Sequence, residues 1–405
     1  MEADVVVIGG GPAGMAAAIE SAKKGAKTII IERNKELGGI LKQCIHNGFG
    51  LGYFKEELTG PEYAYKFKEL VKKQKNIKVL TNTFVTKLKN KNVTIINDNG
   101  QQEINAKAIV LAMGARERTA ANILLKGTRP AGILTAGQAQ KMTNIQGKLP
   151  GKEIVILGSG DIGLIMARRL TLEGAKVKAV LEINPTTSGL KRNIVQCLED
   201  FNIPLLMQTT IVEVVGQNRV EGIYISKVDE KFNFVGEKKF IKCDTVILSV
   251  GLIPETDIVD FISINPKTNG PLVDDYFLTS SKGIFACGNF LHVHDLVDNV
   301  TMESIEVGQN AADYVIGEKW GRSKYNIVAG RGVSFVNPVV CHNGEGEFNI
   351  RFRFKEKFVK KWVKVKSQNG DIAKKFILAG IPGEMQSIAV NRRSVMSDII
   401  VEVEE

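Results

Sequence analysis

Two stretches of this chain share one plan, and that plan limits what the chain can fold into. Asp4-Val-Val-Val-Ile-Gly-Gly-Gly-Pro-Ala-Gly14 runs from an apolar strand through glycines 9, 11 and 14 into a helix-forming Met-Ala-Ala-Ala-Ile-Glu. Lys152-Glu-Ile-Val-Ile-Leu157, the fingerprint Gly158-Ser-Gly-Asp-Ile-Gly163 and a helical Leu164–Glu173 repeat it. In such a fingerprint the first glycine permits a tight turn, the second lets backbone approach a pyrophosphate, and the third allows close helix–strand packing. The pyrophosphate then rests on the free N–H groups and positive end of the new helix. Each copy continues into a second apolar strand, Thr28–Glu32 or Lys176–Glu182, ending in a carboxylate placed for ribose hydroxyls. Gly9 to Glu32 spans 23 positions and Gly158 to Glu182 spans 24. Two dinucleotide sites in one chain are the expectation.

The copies also close alike. Ala108-Ile-Val-Leu-Ala-Met-Gly-Ala115 is a buried strand ending in glycine beside a nucleotide, and Asp244-Thr-Val-Ile-Leu-Ser-Val-Gly251 mirrors it. Between these landmarks the pattern predicts a helix over about 61–73 and a hairpin at Asp98-Asn-Gly100, since Asn-Gly tolerates positive φ. Gly283-Ile-Phe-Ala-Cys-Gly-Asn289 precedes a helix predicted over about Thr301–Ile316, capped by Asp298 or Asn299. Its N-terminal N–H groups would be aimed at negative charge. Residues 323–405 lack a glycine fingerprint and read as strands with turns, a third and smaller domain. At 405 residues the chain has room for two or three domains.

Composition excludes several classes. No apolar run reaches membrane-spanning length. The first strand begins almost at once, so no signal peptide is expected. Cysteines 44, 197, 243, 287 and 341 form no CxxC pair, which argues against a zinc or iron–sulfur site built by this chain and fits a reducing, cytoplasmic setting. The net charge of +10 suits an acidic partner or simply a lysine-rich composition.

Over residues 1 to about 320 the chain resembles the two-dinucleotide flavoproteins of the pyridine nucleotide–disulfide oxidoreductase superfamily. The likeness rests on Gly9–Gly14 with Glu32, Ala112–Ala115, Gly158–Gly163 with Glu182, Val250-Gly-Leu-Ile-Pro254 and Gly283–Asn289. It implies an α/β fold of two Rossmann-like domains, with the NAD domain (121–261) inserted into the FAD domain (1–120 and 262–320), plus a β-rich domain at 321–405. It further implies FAD held by Gly9, Gly11, Pro12, Ala13, Gly14, Glu32, Arg33, Gly39, Ile40, Val85, Ala112, Gly114, Gly288, Asn289, Val300 and Thr301. NAD would be held by Gly158, Gly160, Asp161, Ile162, Gly163, Glu182 and Gly251. The superfamily has an acid where this chain has Asn289, and an amide there still bonds a hydroxyl but adds no charge. More narrowly, Gly38–Gly50 with Glu57–Tyr63 resembles the FAD/NAD subunits of bacterial glycerol-3-phosphate dehydrogenases, which are similar to the NAD-linked subunits of opine and sarcosine oxidases. That likeness implies a substrate-oxidising flavoprotein and an iron–sulfur protein as partners.

Disulfide reductases of the superfamily carry CxxxxC near the flavin, whereas Cys44 has no second cysteine nearby. Cys44, helped by His46, is the candidate for a thiolate or sulfenic acid, or else a packed residue beside the cofactor. His292 and His294, at i and i+2, are two ligands without a third, weak grounds for a metal pair, and contacts to the flavin or its access channel are the favoured expectation. Cys341-His342 reads as structural. Glu182 would repel a 2′-phosphate and so favour NADH. Arg351-Phe-Arg-Phe-Lys355 and Lys360–Lys366 alternate basic and apolar residues, giving either a lysine-protected sheet edge or a docking face for an acidic partner. Three functions follow as expectations. The first is an FAD-dependent NAD(H) oxidoreductase serving a partner dehydrogenase, the second a self-contained NADH oxidase or peroxidase using Cys44. The third is a non-redox flavoprotein binding RNA or a membrane through its basic C-terminal domain.

Overall fold

The structure, a computed structural model, describes residues 1–317 and 323–404. The chain divides into two compact units, one of residues 1–115 with 254–405, the other of residues 116–253. The crossings fall a few residues before the expected 120/121 and 261/262. The expected boundary at 320/321 lies outside the described residues.

The first unit is built on a seven-stranded sheet. Its parallel part runs Ile77–Leu80, Thr28–Ile31, Glu2–Ile8, Gly100–Leu111 and Ile284–Ala286, with Asn92–Asn97 and Phe84–Lys89 added antiparallel. Val5, Val6 and Val7 are fully buried, as expected of a strand covered on both faces. One covering layer is a helix pair. The Pro12–Lys23 helix offers alanines 16, 17 and 18, and the Val297–Ile316 helix meets it at Gly308. A Cβ on Gly308 would stand 2.2 Å from the Ala17 carbonyl, so only glycine permits this approach. The Ser21 hydroxyl donates to the Gly308 carbonyl at 2.8 Å across the same contact.

The second helix differs from its expected form. It starts at Val297 rather than Thr301, with Leu296 at the N-cap and no side-chain cap. Asp298 lies inside the first turn, where its carboxylate accepts from Gly50 N at 3.1 Å and Tyr53 N at 3.0 Å. Tertiary donors on the 50–53 segment have drawn that carboxylate away from its own helix end.

The described residues beyond 322 form two sheets around a core that includes Val333, Ile350, Phe352, Val363, Val365 and Val401. The Glu347–Phe354 strand corrects the docking-face reading of Arg351 and Arg353. Its residues are buried or half-buried from Phe348 to Phe354 on both sides, and Arg351 is 8% exposed. Alternation of Arg and Phe signals one solvated face only when the other side of the sheet is uncovered, and here it is covered. Lys364 and Lys366 are likewise paired, with Glu404 at 2.5 Å and Glu402 at 2.6 Å. Lys355 and Lys360 remain exposed.

The second unit is a five-stranded parallel sheet ordered Leu205–Met207, Lys176–Glu182, Glu153–Leu157, Thr245–Leu248 and Ile133–Thr135. A three-stranded antiparallel sheet, Thr209–Val215, Gly222–Lys227 and Lys239–Lys242, completes it. The helix after the fingerprint spans Asp161–Leu172, starting earlier than the apolar pattern suggested.

Candidate functional site

In the first unit the fingerprint turns where its glycines allow. Gly9 has φ +106°, and a Cβ there would stand 2.3 Å from the Ala112 carbonyl oxygen, so the first glycine and the end of the closing strand are in contact. Gly14 backs onto Gly9 so closely that a Cβ would stand 1.8 Å from its carbonyl oxygen. Gly11 is different. A Cβ there would meet protein only at Gly39 Cα, 4.0 Å away, so this face of the turn is open. Gly11 is also the N-cap of the Pro12–Lys23 helix and supplies no side chain to it. An uncapped helix N-terminus beside an open glycine is the cradle that a pyrophosphate fits.

Glu32 is 4% exposed. Its Oε2 accepts from Gly10 N at 2.8 Å, and its Oε1 accepts from Asn34 N at 2.8 Å and Asn34 Nδ2 at 2.7 Å. These three donors hold the carboxylate and leave Oε2 acceptor capacity for a hydroxyl. Thr83 N donates to the Glu32 carbonyl and Asn82 N to the Asn34 carbonyl, bringing the segment leading to Val85 beside this turn. Gly288, Ala13 and Val300 also converge: a Cβ on Gly288 would stand 2.7 Å from Ala13 Cβ and 3.3 Å from Val300 Cγ1. The buried Thr301 hydroxyl is 2.7 Å from the Tyr63 hydroxyl. Gly114 has φ +71° and Ile40 is exposed. Arg33 is mostly solvated and 3.8 Å from Glu255. Asn289 Oδ1 accepts from His294 N at 3.0 Å, which fixes the amide and leaves Nδ2 and one Oδ1 lone pair for the ribityl role expected of it.

Cys44 is buried, and its thiol donates to the Ile40 carbonyl at 3.3 Å. Burial pushes this thiol up to about 12, far from a thiolate at neutral pH. The half-buried His46 tilts against Phe49, with Nδ1 3.0 Å from the Asn47 carbonyl. His342, read from sequence as structural, is buried with Nδ1 2.6 Å from buried Asp275, which also takes Arg392 Nε at 2.9 Å.

The loop after Asn289 brings together groups that sequence spacing kept apart. His292 Nε2 lies 3.0 Å and His294 Nε2 3.3 Å from Oε2 of Glu303, and Arg351 Nε lies 3.5 Å from the same oxygen. Glu303 is fully buried and its Oε1 accepts from Gly288 N at 2.9 Å. Burial opposes its charge, but His294, His292 and Arg351 outweigh that and hold it well below the usual carboxylate range. Burial pushes His292 down to about 4, so it is neutral at pH 7. Glu303 and Arg351 carried no motif, because Glu303 lies nine positions beyond His294 and Arg351 far beyond that in the chain.

In the second unit the same turn recurs with Ser249 in the closing role. Gly158 has φ +100°, and a Cβ there would stand 2.1 Å from the Ser249 carbonyl oxygen. Gly163 N donates to Ser249 Oγ at 3.1 Å. Gly160 caps the Asp161–Leu172 helix without a side chain, leaving its N–H groups for an anion. Glu182 is 3% exposed and accepts four hydrogen bonds. Ser159 N and Ser159 Oγ reach its Oε2 at 3.1 and 2.5 Å, and Asn184 N and Nδ2 reach its Oε1, both at 2.8 Å. The sequence signal for the asparagines was present in both copies as Glu-x-Asn, Glu32-Arg-Asn34 and Glu182-Ile-Asn184.

Asp161 is committed elsewhere, its Oδ1 accepting from Leu190 N at 2.8 Å and Asn193 Nδ2 at 2.7 Å. Gly158, Glu182, Asn184, Ser249 and Gly251 line a cavity of about 610 Å³. Arg118, Phe232 and Phe234, which no motif marked, line it too. That volume suits a nucleotide.

Comparison with known proteins agrees with this geometry. The family model described as pyridine nucleotide-disulphide oxidoreductase matches residues 3–313. One of the subunits of the opine oxidase of Rhizobium meliloti is 25% identical over 71% of this chain and 58% of its own length. NADH dehydrogenase of Bacillus subtilis is 28% identical over 77% of this chain and 58% of its own length. The chain thus spans under two thirds of either relative. Mitochondrial dihydrolipoyl dehydrogenase 1 of Arabidopsis thaliana is 24% identical over 86% of this chain and 72% of its own length. Among solved structures, thioredoxin reductase of T. acidophilum superposes with a TM-score of 0.64 at 22% identity, covering 78% of this chain and 99% of that one. An NAD-dependent persulfide reductase from A. fulgidus gives 0.59 at 22% identity, over 90% and 67%. These structures show the shared fold. With a family model spanning both fingerprints, the chain belongs to the pyridine nucleotide-disulphide oxidoreductase family, whose members are FAD-dependent NAD(P)H oxidoreductases.

Proposed function

We propose that this chain is the FAD- and NAD-carrying electron-transfer component of a larger cytoplasmic dehydrogenase. It moves electron pairs between NADH and a partner flavoprotein that oxidises the organic substrate. The observation behind this reading is Cys44. The 38–50 segment has one cysteine where disulfide reductases use two, and its thiol is buried and pushed up to about 12. Neither a redox dithiol nor a thiolate peroxidase centre fits that environment, which disfavours the self-contained oxidase. Electrons must then enter or leave the flavin through another molecule.

The relatives' names point the same way: one belongs to an opine oxidase of several subunits and another is an NADH dehydrogenase. The resemblance over 38–63 supports glycerol 3-phosphate as the partner's substrate, with an iron–sulfur protein as a third component.

When bound, FAD and NAD supply the hydride chemistry itself. For its part the chain offers uncapped helix ends at Gly11 and Gly160 for the two pyrophosphates. Glu32, with acceptor capacity remaining, orients a ribose of FAD, and the negative charge of Glu182 disfavours a 2′-phosphate, hence NADH over NADPH.

Reconstitution tests this. The isolated chain should reduce its flavin with NADH yet show negligible NAD reduction with glycerol 3-phosphate until its partner proteins are added. Cys44→Ser should leave NADH-driven flavin reduction within about threefold of normal, since a packed thiol contributes no chemistry. Rapid peroxide turnover by the isolated chain, lost in Cys44→Ser, would replace this reading with the oxidase.

A further inference from the structure

The orientation of His294 is set by one hydrogen bond. Its Nδ1 lies 3.0 Å from the His292 carbonyl oxygen, which can only accept, so Nδ1 bears the proton. In the neutral ring Nε2 is then a bare lone pair, and it faces the carboxylate oxygen Glu303 Oε2 at 3.3 Å. Two lone pairs aimed at each other inside a closed site repel, and His294 Nε2 has no hydrogen-bond partner there. The side chains of His292, His294 and Glu303 are 1%, 2% and 0% exposed, so water does not relieve the conflict.

A cation between the groups does relieve it. A proton joins two atoms, but three donor atoms converge here: His292 Nε2, His294 Nε2 and Glu303 Oε2 all lie within 4.8 Å of one another. The edges of 3.0 and 3.3 Å from Glu303 Oε2 are close to the spacing of donors around a tetrahedral ion. For bonds of about 2.0 Å that spacing is roughly 3.3 Å. An imidazole whose Nδ1–H is tied to a backbone carbonyl, presenting Nε2, is the arrangement that metal-binding histidines adopt. Glu303 is held in place from behind by Gly288 N on Oε1, while its Oε2 accepts from His292 Nε2 at 3.0 Å; an ion entering here releases that His292 proton and takes its place. Arg351 Nε forms an ion pair with Oε2 at 3.5 Å, and the same guanidinium donates to Glu306 Oε1 at 3.5 Å, so its charge is shared between two carboxylates.

We propose that His292, His294 and Glu303 bind a divalent ion of the zinc class, with three protein donors and a fourth position left for a small ligand. The ion ties the 288–294 turn to the Val297–Ile316 helix, and so fixes the shape of the segment that follows the second flavin motif.

The test uses the full-length, flavin-loaded chain, stripped with a chelator, exposed to Zn²⁺ or Co²⁺ alone, and desalted. Elemental analysis should find about one ion per chain, and X-ray absorption should show nitrogen and oxygen donors with no sulfur. His294→Ala and Glu303→Gln should each lower occupancy to under roughly a tenth of that. His292→Asn, a smaller change, gives a third variant should either of those fail to fold, and the wild-type absorption spectrum decides independently of all three. Sub-stoichiometric loading of the wild type, sulfur in the coordination shell, or full occupancy in His294→Ala would overturn the site. So would a doubly protonated His294 that persists by ¹⁵N NMR in the presence of excess zinc.

Discussion

Arg353 holds Asp295 at 2.6 Å, and the same guanidinium also donates to the Val293 carbonyl at 3.0 Å and to the Gly383 carbonyl. A residue from the C-terminal strands thereby fastens the turn between Asn289 and the long helix of the first unit. Both partners are largely shielded from water, so removing one leaves the other charge poorly compensated. Arg353→Ala should cost about 2 kcal/mol, read as a lower midpoint in denaturant unfolding. A midpoint equal to wild type would show that the arginine belongs to a solvated face after all.

Gly11 and Gly14 separate ligand binding from folding. Gly11→Ala places a methyl in open space 4.0 Å from Gly39, so the chain should fold normally, with its circular dichroism unchanged. That methyl stands where backbone must meet pyrophosphate, and FAD affinity should fall at least ~10-fold by flavin titration. Gly14→Ala drives a methyl to 1.8 Å from the Gly9 carbonyl oxygen and should yield misfolded protein instead. Full flavin retention in a well-folded Gly11→Ala would refute the cradle.

In the proposed function, nucleotide choice rests on a saturated carboxylate. Glu182 already accepts from Ser159 and Asn184, so Glu182→Gln turns an amide N–H₂ toward protein donors while removing the charge. NADH binding should weaken about tenfold and the NADH-to-NADPH ratio should shift toward NADPH by a similar factor, measured by rapid flavin reduction with each nucleotide. An unchanged ratio would show that discrimination lies with another group lining the cavity.

Asp274 makes stability depend on pH. Burial, and after it the charge of Asp275, raises its carboxyl from 3.8 to about 6. The folded chain therefore holds this proton more tightly than the unfolded chain does. The resulting stabilisation is complete below pH 3.8 and is lost as pH rises through about 6. Asp274→Asn keeps an oxygen for Tyr276 N and Leu278 N, both at 3.0 Å, and cannot titrate. Relative to wild type it should gain on the order of 2 kcal/mol on going from pH 4 to pH 8. A difference between mutant and wild type that stays constant with pH would contradict the shift.

What the sequence determined by itself is local and periodic. Fully apolar strands, glycines at fixed offsets, and an acid at the end of the next strand follow from steric and burial rules acting over about thirty residues, and they repeat at Gly9–Glu32 and Gly158–Glu182. That was enough to expect two nucleotide folds; the family came from the resemblance of these and further motifs. Tertiary structure decided whatever depends on partners distant in the chain. Asp298 looked like a helix cap until Gly50 and Tyr53 claimed its carboxylate. Arg351 and Arg353 looked like a solvated stripe until Glu303 and Asp295 proved to lie against them. His292 and His294 lacked a third donor until the long helix brought Glu303 to them. A buried charge takes its meaning from whichever opposite charge or donor the fold delivers, and sequence spacing carries no record of that delivery.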